Sequence, residues 1–266
     1  LHRRLVQARL AGTLTAPGPY TVFAPTNDAF SALLGELGVT KDQLLANKPL
    51  LTAVLKYHVV AGQVPSSAVP LSKAINPVGG GFFKIDKVGT SLVITDGRDR
   101  TSKIVQADIA ASNGVIHAID KVLLPADKTI VQTAIANPDF SILVEAVTAA
   151  GLVDTLNAPG PYTVFAPTNA AFASLLTELG VTKAQLLANT ALLTKVLTYH
   201  VVPGLVLKVD VPINTPIKTV EGETLTVGPT LAITDQSARP SNIVATDVLA
   251  SNGVIHVLDK VILPAP

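Results

Sequence analysis

Two hydrophobic periods alternate along this chain. Tyr20–Ala24 is a short run of aromatic and β-branched residues ending at Pro25, and it reads as a buried strand. Just beyond it, Phe30, Leu33 and Leu34 recur at helical spacing behind Thr26 and Asn27, either of which can cap the helix. Thr40-Lys-Asp-Gln43 has the form of a capping box, with Thr at the N-cap and Gln at N3. The next helix carries Leu50, Leu51, Val54 and Leu55 and runs into Tyr57-His58. From about Val64 the pattern shortens to strands and turns. Ser91–Thr95 and Lys103–Ile109 have strand character, and Asn113-Gly114 marks a hairpin through its tolerance of positive φ. Val115–Leu124 reads as the returning strand, closed by Pro125. Helices first and a meandering sheet afterwards predict an α+β fold.

The same pattern is then written a second time. PYTVFAPTNDAF at Pro19 returns as PYTVFAPTNAAF at Pro161, with Ala170 in place of Asp28. YHVV at Tyr57 returns at Tyr199, SNGVIH at Ser112 returns at Ser251, and the Thr40 capping box returns as Thr182-Lys-Ala-Gln185. A period of about 140 residues is domain-sized and too long for a solenoid repeat. Two tandem domains are expected, residues 1–125 and residues 126–266. Leu143 aligns with Leu1, so Ala126–Ile142 have no counterpart in the first copy. In that segment Asp127 can cap a helix placing Ile130, Val131, Ala134 and Ile135 on one face, and Asn137-Pro138 reads as a second helix start. The first domain is therefore expected to lack its opening helices.

Composition narrows the functional classes. The chain is 48% apolar and 15% charged, which excludes disorder and leaves apolar surface for a partner or ligand. Lys+Arg 20 against Asp+Glu 19 gives a net charge of +1, with no basic footprint for nucleic acid. No apolar run approaches the ~20 residues of a membrane span. Cysteine is absent, which removes disulfides, thiolate metal sites and cysteine nucleophiles together and fits secretion from a bacterium.

TVFAPTNDAF (Thr21–Phe30), YHVV (Tyr57–Val60) and SNGVIHAIDKVLLP (Ser112–Pro125) resemble the fasciclin-like (FAS1) domain family, and the blocks recur from Thr163, Tyr199 and Ser251. The resemblance implies compact α+β domains, each a wedge of β-strands with a helical layer. It implies secreted or surface-attached proteins that mediate adhesion or matrix assembly, with no general enzymatic activity. In some animal members the Tyr-His region has been linked to integrin binding, and certain algal members bind carotenoids.

Tyr57-His58 and Tyr199-His200 are the sharpest candidates for partner binding, as aromatic anchors with a polar handle. Their structural reading is a buried, hydrogen-bonded histidine at the helix-to-sheet junction. His117 with Asp120, and His256 with Asp259, suggest acid–base pairs. Residues three apart in a strand face opposite sides, however, which favours structural roles. Five histidines split between two domains do not compose a zinc site. Asp96-Gly-Arg-Asp99 reads as a solvated turn rather than a calcium or integrin motif, and its counterpart Asp235-Gln-Ser-Ala does not share it. Phe82 and Phe83 follow three glycines, with the counterpart placed near Pro216–Val220. One ring is expected inward and one partly covered, or free to meet another subunit or an apolar ligand.

The leading expectation is a secreted or cell-surface adhesion or matrix protein without catalysis or cofactor. It would contact a surface protein or copies of itself. The alternative is a carrier of an apolar small ligand such as a carotenoid or lipid. A hydrolase comes third, because no nucleophile–base–orienter set can be assembled from the motifs.

Overall fold

The computed structural model describes residues 17–265, which form two compact units divided in the chain between Asp127 and Lys128. The truncated opening helix expected at Leu1 lies outside the described residues.

In the first unit, strand β1 (Tyr20–Pro25) leads into helices α1 (Asn27–Leu37), α2 (Lys41–Ala46) and α3 (Lys48–Tyr57). Thr26 caps α1 by accepting from the Ala29 amide, and Gly38 ends it in the left-handed region at φ 62°. Both halves of the Thr40–Gln43 capping box are formed. Then follow β2 (Val59–Ala61), β3 (Ala74–Ile75), β4 (Phe83–Val88), β5 (Ser91–Thr95), β6 (Thr101–Ala111) and β7 (Gly114–Ile119). The sheet order is β2-β1-β7-β6-β5-β4-β3. Strands β3 to β7 meander as expected, but β1 inserts between β2 and β7 and runs parallel to β7, from Tyr20 opposite Gly114 to Pro25 opposite Ile119.

That insertion explains the glycine of the hairpin. Asn113 does not adopt positive φ, so the turn is not the type that the Asn-Gly pair suggested. Gly114 is needed because a Cβ there would lie 1.9 Å from the Tyr20 carbonyl oxygen. The returning strand also ends earlier than expected, at Ile119. Val122–Leu124 continue as buried chain outside the ladder.

Among the described residues the core of this unit holds two larger clusters and a small one of Leu51 and Leu55. Phe23, Tyr57, Phe83, Ile85 and Ile94 pack within the sheet, and Phe30, Leu33, Leu44, Val54 and Val122 pack beneath the helices. Phe83 stands edge-on to both Phe23 and Tyr57, with ring centroids 5.3 and 5.7 Å apart.

The second unit opens with α4 (Ile130–Ile135), a short turn over Pro138–Phe140, α5 (Ser141–Ala149) and α6 (Val153–Asn157). It then repeats the first unit: β8 (Tyr162–Pro167), α7 (Asn169–Leu179), α8 (Lys183–Ala188), α9 (Thr190–Tyr199), β9 (Val201–Pro203), β10 (Pro216–Lys218), β11 (Thr224–Val227), β12 (Ala232–Thr234), β13 (Pro240–Ala250) and β14 (Gly253–Leu258). Its sheet order, β10-β11-β12-β13-β14-β8-β9, is the same topology. The cap of α4 is Thr129, in a capping box with Gln132, and not Asp127. Asp127 instead pairs with Arg98 at 3.2 Å. Asn252, the counterpart of Asn113, ties the new helices to the hairpin. Its oxygen accepts from the Ile130 amide and its nitrogen donates to the Leu156 and Ala158 carbonyls.

Candidate functional site

Helix α3 ends where β2 begins, and the tyrosine and histidine at that junction both point inward. Tyr57 and His58 are 1% and 2% exposed. The Tyr57 hydroxyl donates to the Phe82 carbonyl, which lashes the helix to the loop before β4. His58 Nδ1–H donates to the Val54 carbonyl at 2.7 Å, and Nε2 accepts from the Leu123 amide at 2.9 Å. One ring thus satisfies both a helix-end carbonyl and an amide of the buried tail after β7. The second unit repeats this: Tyr199 to the Thr224 carbonyl, and His200 between the Val196 carbonyl and the Ile262 amide.

Only the neutral imidazole can donate through one nitrogen and accept through the other. Burial pushes both His58 and His200 down to about 4, against partial relief from the Val54 and Val196 carbonyls. Burial likewise raises the phenols, Tyr199 to about 12, with the charge of Asp235 adding to it. These four side chains lie inside the fold, out of reach of a docking partner, and serve the junction. Removing one hydroxyl, by Tyr57→Phe or Tyr199→Phe, should cost about 1–2 kcal/mol by denaturant titration with far-UV circular dichroism unchanged.

Phe82 and Phe83 are also interior, at 9% and 0% exposure. The matching tyrosine bonds make Thr224 the equivalent of Phe82 and Leu225 the equivalent of Phe83, rather than residues of Pro216–Val220. Leu225 fills the core position that Phe83 fills in the first unit.

His117 turns away from Asp120. Its Nδ1 accepts from the Asp108 amide and its Nε2–H donates to the Val64 carbonyl. Asp120 binds the Lys103 amide and the Ser102 hydroxyl. His256 makes the matching bonds to the Asp247 amide and the Val206 carbonyl. Asp108 and Asp247 sit at φ 60°, where β6 and β13 bulge. Among the described residues no three His, Asp or Glu side chains converge as a metal site would require.

The sequence reading of Asp96 is corrected by the structure. Asp96 is 1% exposed, not solvated. Its carboxylate accepts from the Arg98 and Arg100 amides, the Arg100 Nε and the Leu124 amide. Asp235 does the same for the Ser237, Arg239 and Leu263 amides, so the feature is shared after all. Arg100 reaches on to Glu36 and the Val122 carbonyl, and Arg239 to Glu178 and the Val261 carbonyl. The available signal was the matched Ile-Thr-Asp followed by an arginine four residues later in both copies.

Beside His200 the second unit holds a cavity of about 310 Å³, partly open to solvent. Helices α4, α5 and α6 supply one wall, through Val131, Ala134, Val147 and Leu156, and the sheet side supplies Val164, Phe165, Leu197 and Val201. Nearly every wall atom is carbon. Were it a sealed void, a volume of this size would cost on the order of 7 kcal/mol at ~24 cal/mol per Å³, comparable to a whole domain's stability. Sequence reasoning recovered the apolar face of α4 but had no means to show that it borders a space.

Comparison with known proteins places this architecture. A fasciclin domain model matches residues 1–125 and again 138–264. Transforming growth factor-beta-induced protein ig-h3 of Sus scrofa is 30% identical over 96% of this chain, which spans only 36% of that protein. Protein sll1483 of Synechocystis sp. is 47% identical over 51% of this chain and 73% of its own length. A solved FAS1 domain pair from the insect cell adhesion molecule fasciclin I aligns with 98% of this chain and 95% of its own, at 18% identity and a TM-score of 0.49.

Proposed function

The chain belongs to the fasciclin domain family, and on that premise we propose that it is an extracellular adhesion or matrix protein, secreted or held at the cell surface. It acts without catalysis, through contacts with surface or matrix proteins and with copies of itself. The observation that carries this reading is a set of matched exposed aliphatics. Leu71 and Ile213, Val78 and Val220, and Val105 and Val244 occupy equivalent places in the two units and are all exposed. Single surface valines need no explanation. Retention of a large aliphatic at the same three exposed places in two diverged copies favours a contact surface that each unit presents. The Tyr57-His58 and Tyr199-His200 pairs, His117 and His256 are committed to the interior, which leaves partner recognition to surface positions such as these.

Native mass spectrometry of the full chain tests it. Multiples of the chain mass with no small component are expected, reverting to monomer when Val105→Glu and Val244→Glu are combined. Both substitutions are on exposed positions and should leave stability within about 0.5 kcal/mol. A protein that stays monomeric at high concentration and adheres to no matrix-coated surface would sink the reading.

A second reading, carriage of an apolar small molecule, is favoured by the cavity beside His200. Visible absorbance in natively purified protein would identify a polyene cargo, and a discrete extra mass released by denaturation would identify any other.

A further inference from the structure

We propose that the cavity of the second unit binds the hydrocarbon tail of a neutral aliphatic molecule, about ten carbons deep, entering past Ile135. This rests on the carrier reading and names its ligand.

The chemistry of the wall decides what can enter. Only two side chains in it carry polar atoms, Thr148 and His200. His200 has both ring nitrogens engaged, with the Val196 carbonyl and the Ile262 amide. The Thr148 hydroxyl donates to the Val144 carbonyl at 2.7 Å. The interior therefore offers no donor or acceptor to a ligand, and a polar atom placed there would be buried without a partner. No charged side chain lines the space, so neither a carboxylate nor an ammonium would be neutralised. What enters must be hydrocarbon.

The polar end stays outside. Ile135, 62% exposed, and the exposed Thr148 belong to the wall and also reach the surface, so they mark the mouth. The Thr148 oxygen has already donated its proton, which leaves its lone pairs to accept from a hydroxyl head group. The wall is built of branched aliphatics, with Phe165 its one phenyl ring, so a flat aromatic ligand finds little to stack on. A methylene occupies about as much space as the ~30 Å³ share of a liquid water, so 310 Å³ holds on the order of ten carbons.

The test uses the full chain with isotope-labelled Ile, Leu and Val methyls, titrated with the straight-chain alcohols from hexanol to tetradecanol. Methyl shifts at Ile130, Val131, Val147 and Leu156 should report saturable binding. Affinity should rise about fourfold per added carbon, the transfer value of a methylene, and level off near ten to twelve carbons. Decanoate at neutral pH should bind at least tenfold more weakly than decanol. Ala134→Phe fills the space and should weaken decanol at least tenfold while holding or raising the melting temperature. Should that variant not fold, Val153→Phe at the half-buried edge of the cavity takes its place. Unchanged decanol affinity in a folded cavity-filling variant overturns the proposal, as does affinity still climbing at fourteen carbons. Camphor is the bulky-ring control. If camphor binds and no alcohol does, the aliphatic assignment falls while the carrier reading stands. If neither binds, both fall.

Discussion

Replacing Asp96 by Asn in the full chain is expected to destabilise the first unit by about 3–5 kcal/mol, and Asp235→Asn to do the same in the second. The change is nearly isosteric, so the cost is electrostatic and directional. In the second unit one oxygen of Asp235 accepts from the Ser237 and Arg239 amides, and the other accepts from the Leu263 amide. An asparagine has one oxygen and one NH₂ group. Whichever way it is turned, its NH₂ faces a backbone N–H, donor against donor, in a site that is nearly closed to water. In the first unit the same conflict arises between the Leu124 amide and the Arg98 and Arg100 amides, and Arg100 also loses an ion pair. Denaturant titration with a probe of each unit reads this out. Asp28→Ala is the control, because the second copy carries Ala170 at that place, and it should cost less than about 1 kcal/mol. An asparagine variant within 1 kcal/mol of the parent would show that the carboxylate is not what holds the tail.

Acid should unfold both units through their junction histidines. An unfolded histidine ionises near ~6.5, whereas His58 and His200 resist protonation to about 4. Above pH 6.5 the ring is neutral in both states, and its contribution is fully present. Between 6.5 and 4 the unfolded chain takes up the proton first, so stability falls with pH. Below 4 the folded ring is charged too and the loss is complete. The gap corresponds to about 3 kcal/mol per histidine at full effect and about 2 kcal/mol by pH 5. Unfolding midpoints measured from pH 7.5 to 4 should trace that slope in each unit, and His58→Gln should flatten it in the first alone. Midpoints that do not move between pH 7 and 5 would refute it. The carboxyl of Asp108, held below its usual range by the Ser66 hydroxyl and amide, adds to the loss only at still lower pH.

Local elements were legible because their causes are local. The Thr40 and Thr182 capping boxes, the β5 strand at Ser91–Thr95 and the helical spacing of Leu51, Val54 and Leu55 depend on residues within a turn or two of each other. Where reading failed, the cause was a partner distant in sequence. Gly114 looked like a turn residue, but its constraint is the Tyr20 carbonyl. Asp96 looked like a solvated turn charge, but it answers the Leu124 amide. Tyr57 and Phe82 stand as separate candidates in the sequence, although one donates to the other's carbonyl within the interior.

By itself the sequence determined the two-fold repetition, the α+β class and the helix starts at Thr26, Thr40 and Thr182, because each follows from periodicity, capping chemistry and plain self-similarity. Only the tertiary structure decided that β1 lies between β2 and β7, that the Tyr-His pairs face inward, and that α4 to α6 border an apolar space beside His200. Those outcomes depend on which unsatisfied backbone groups and apolar faces meet once the chain has closed on itself, and a one-dimensional pattern does not contain that information.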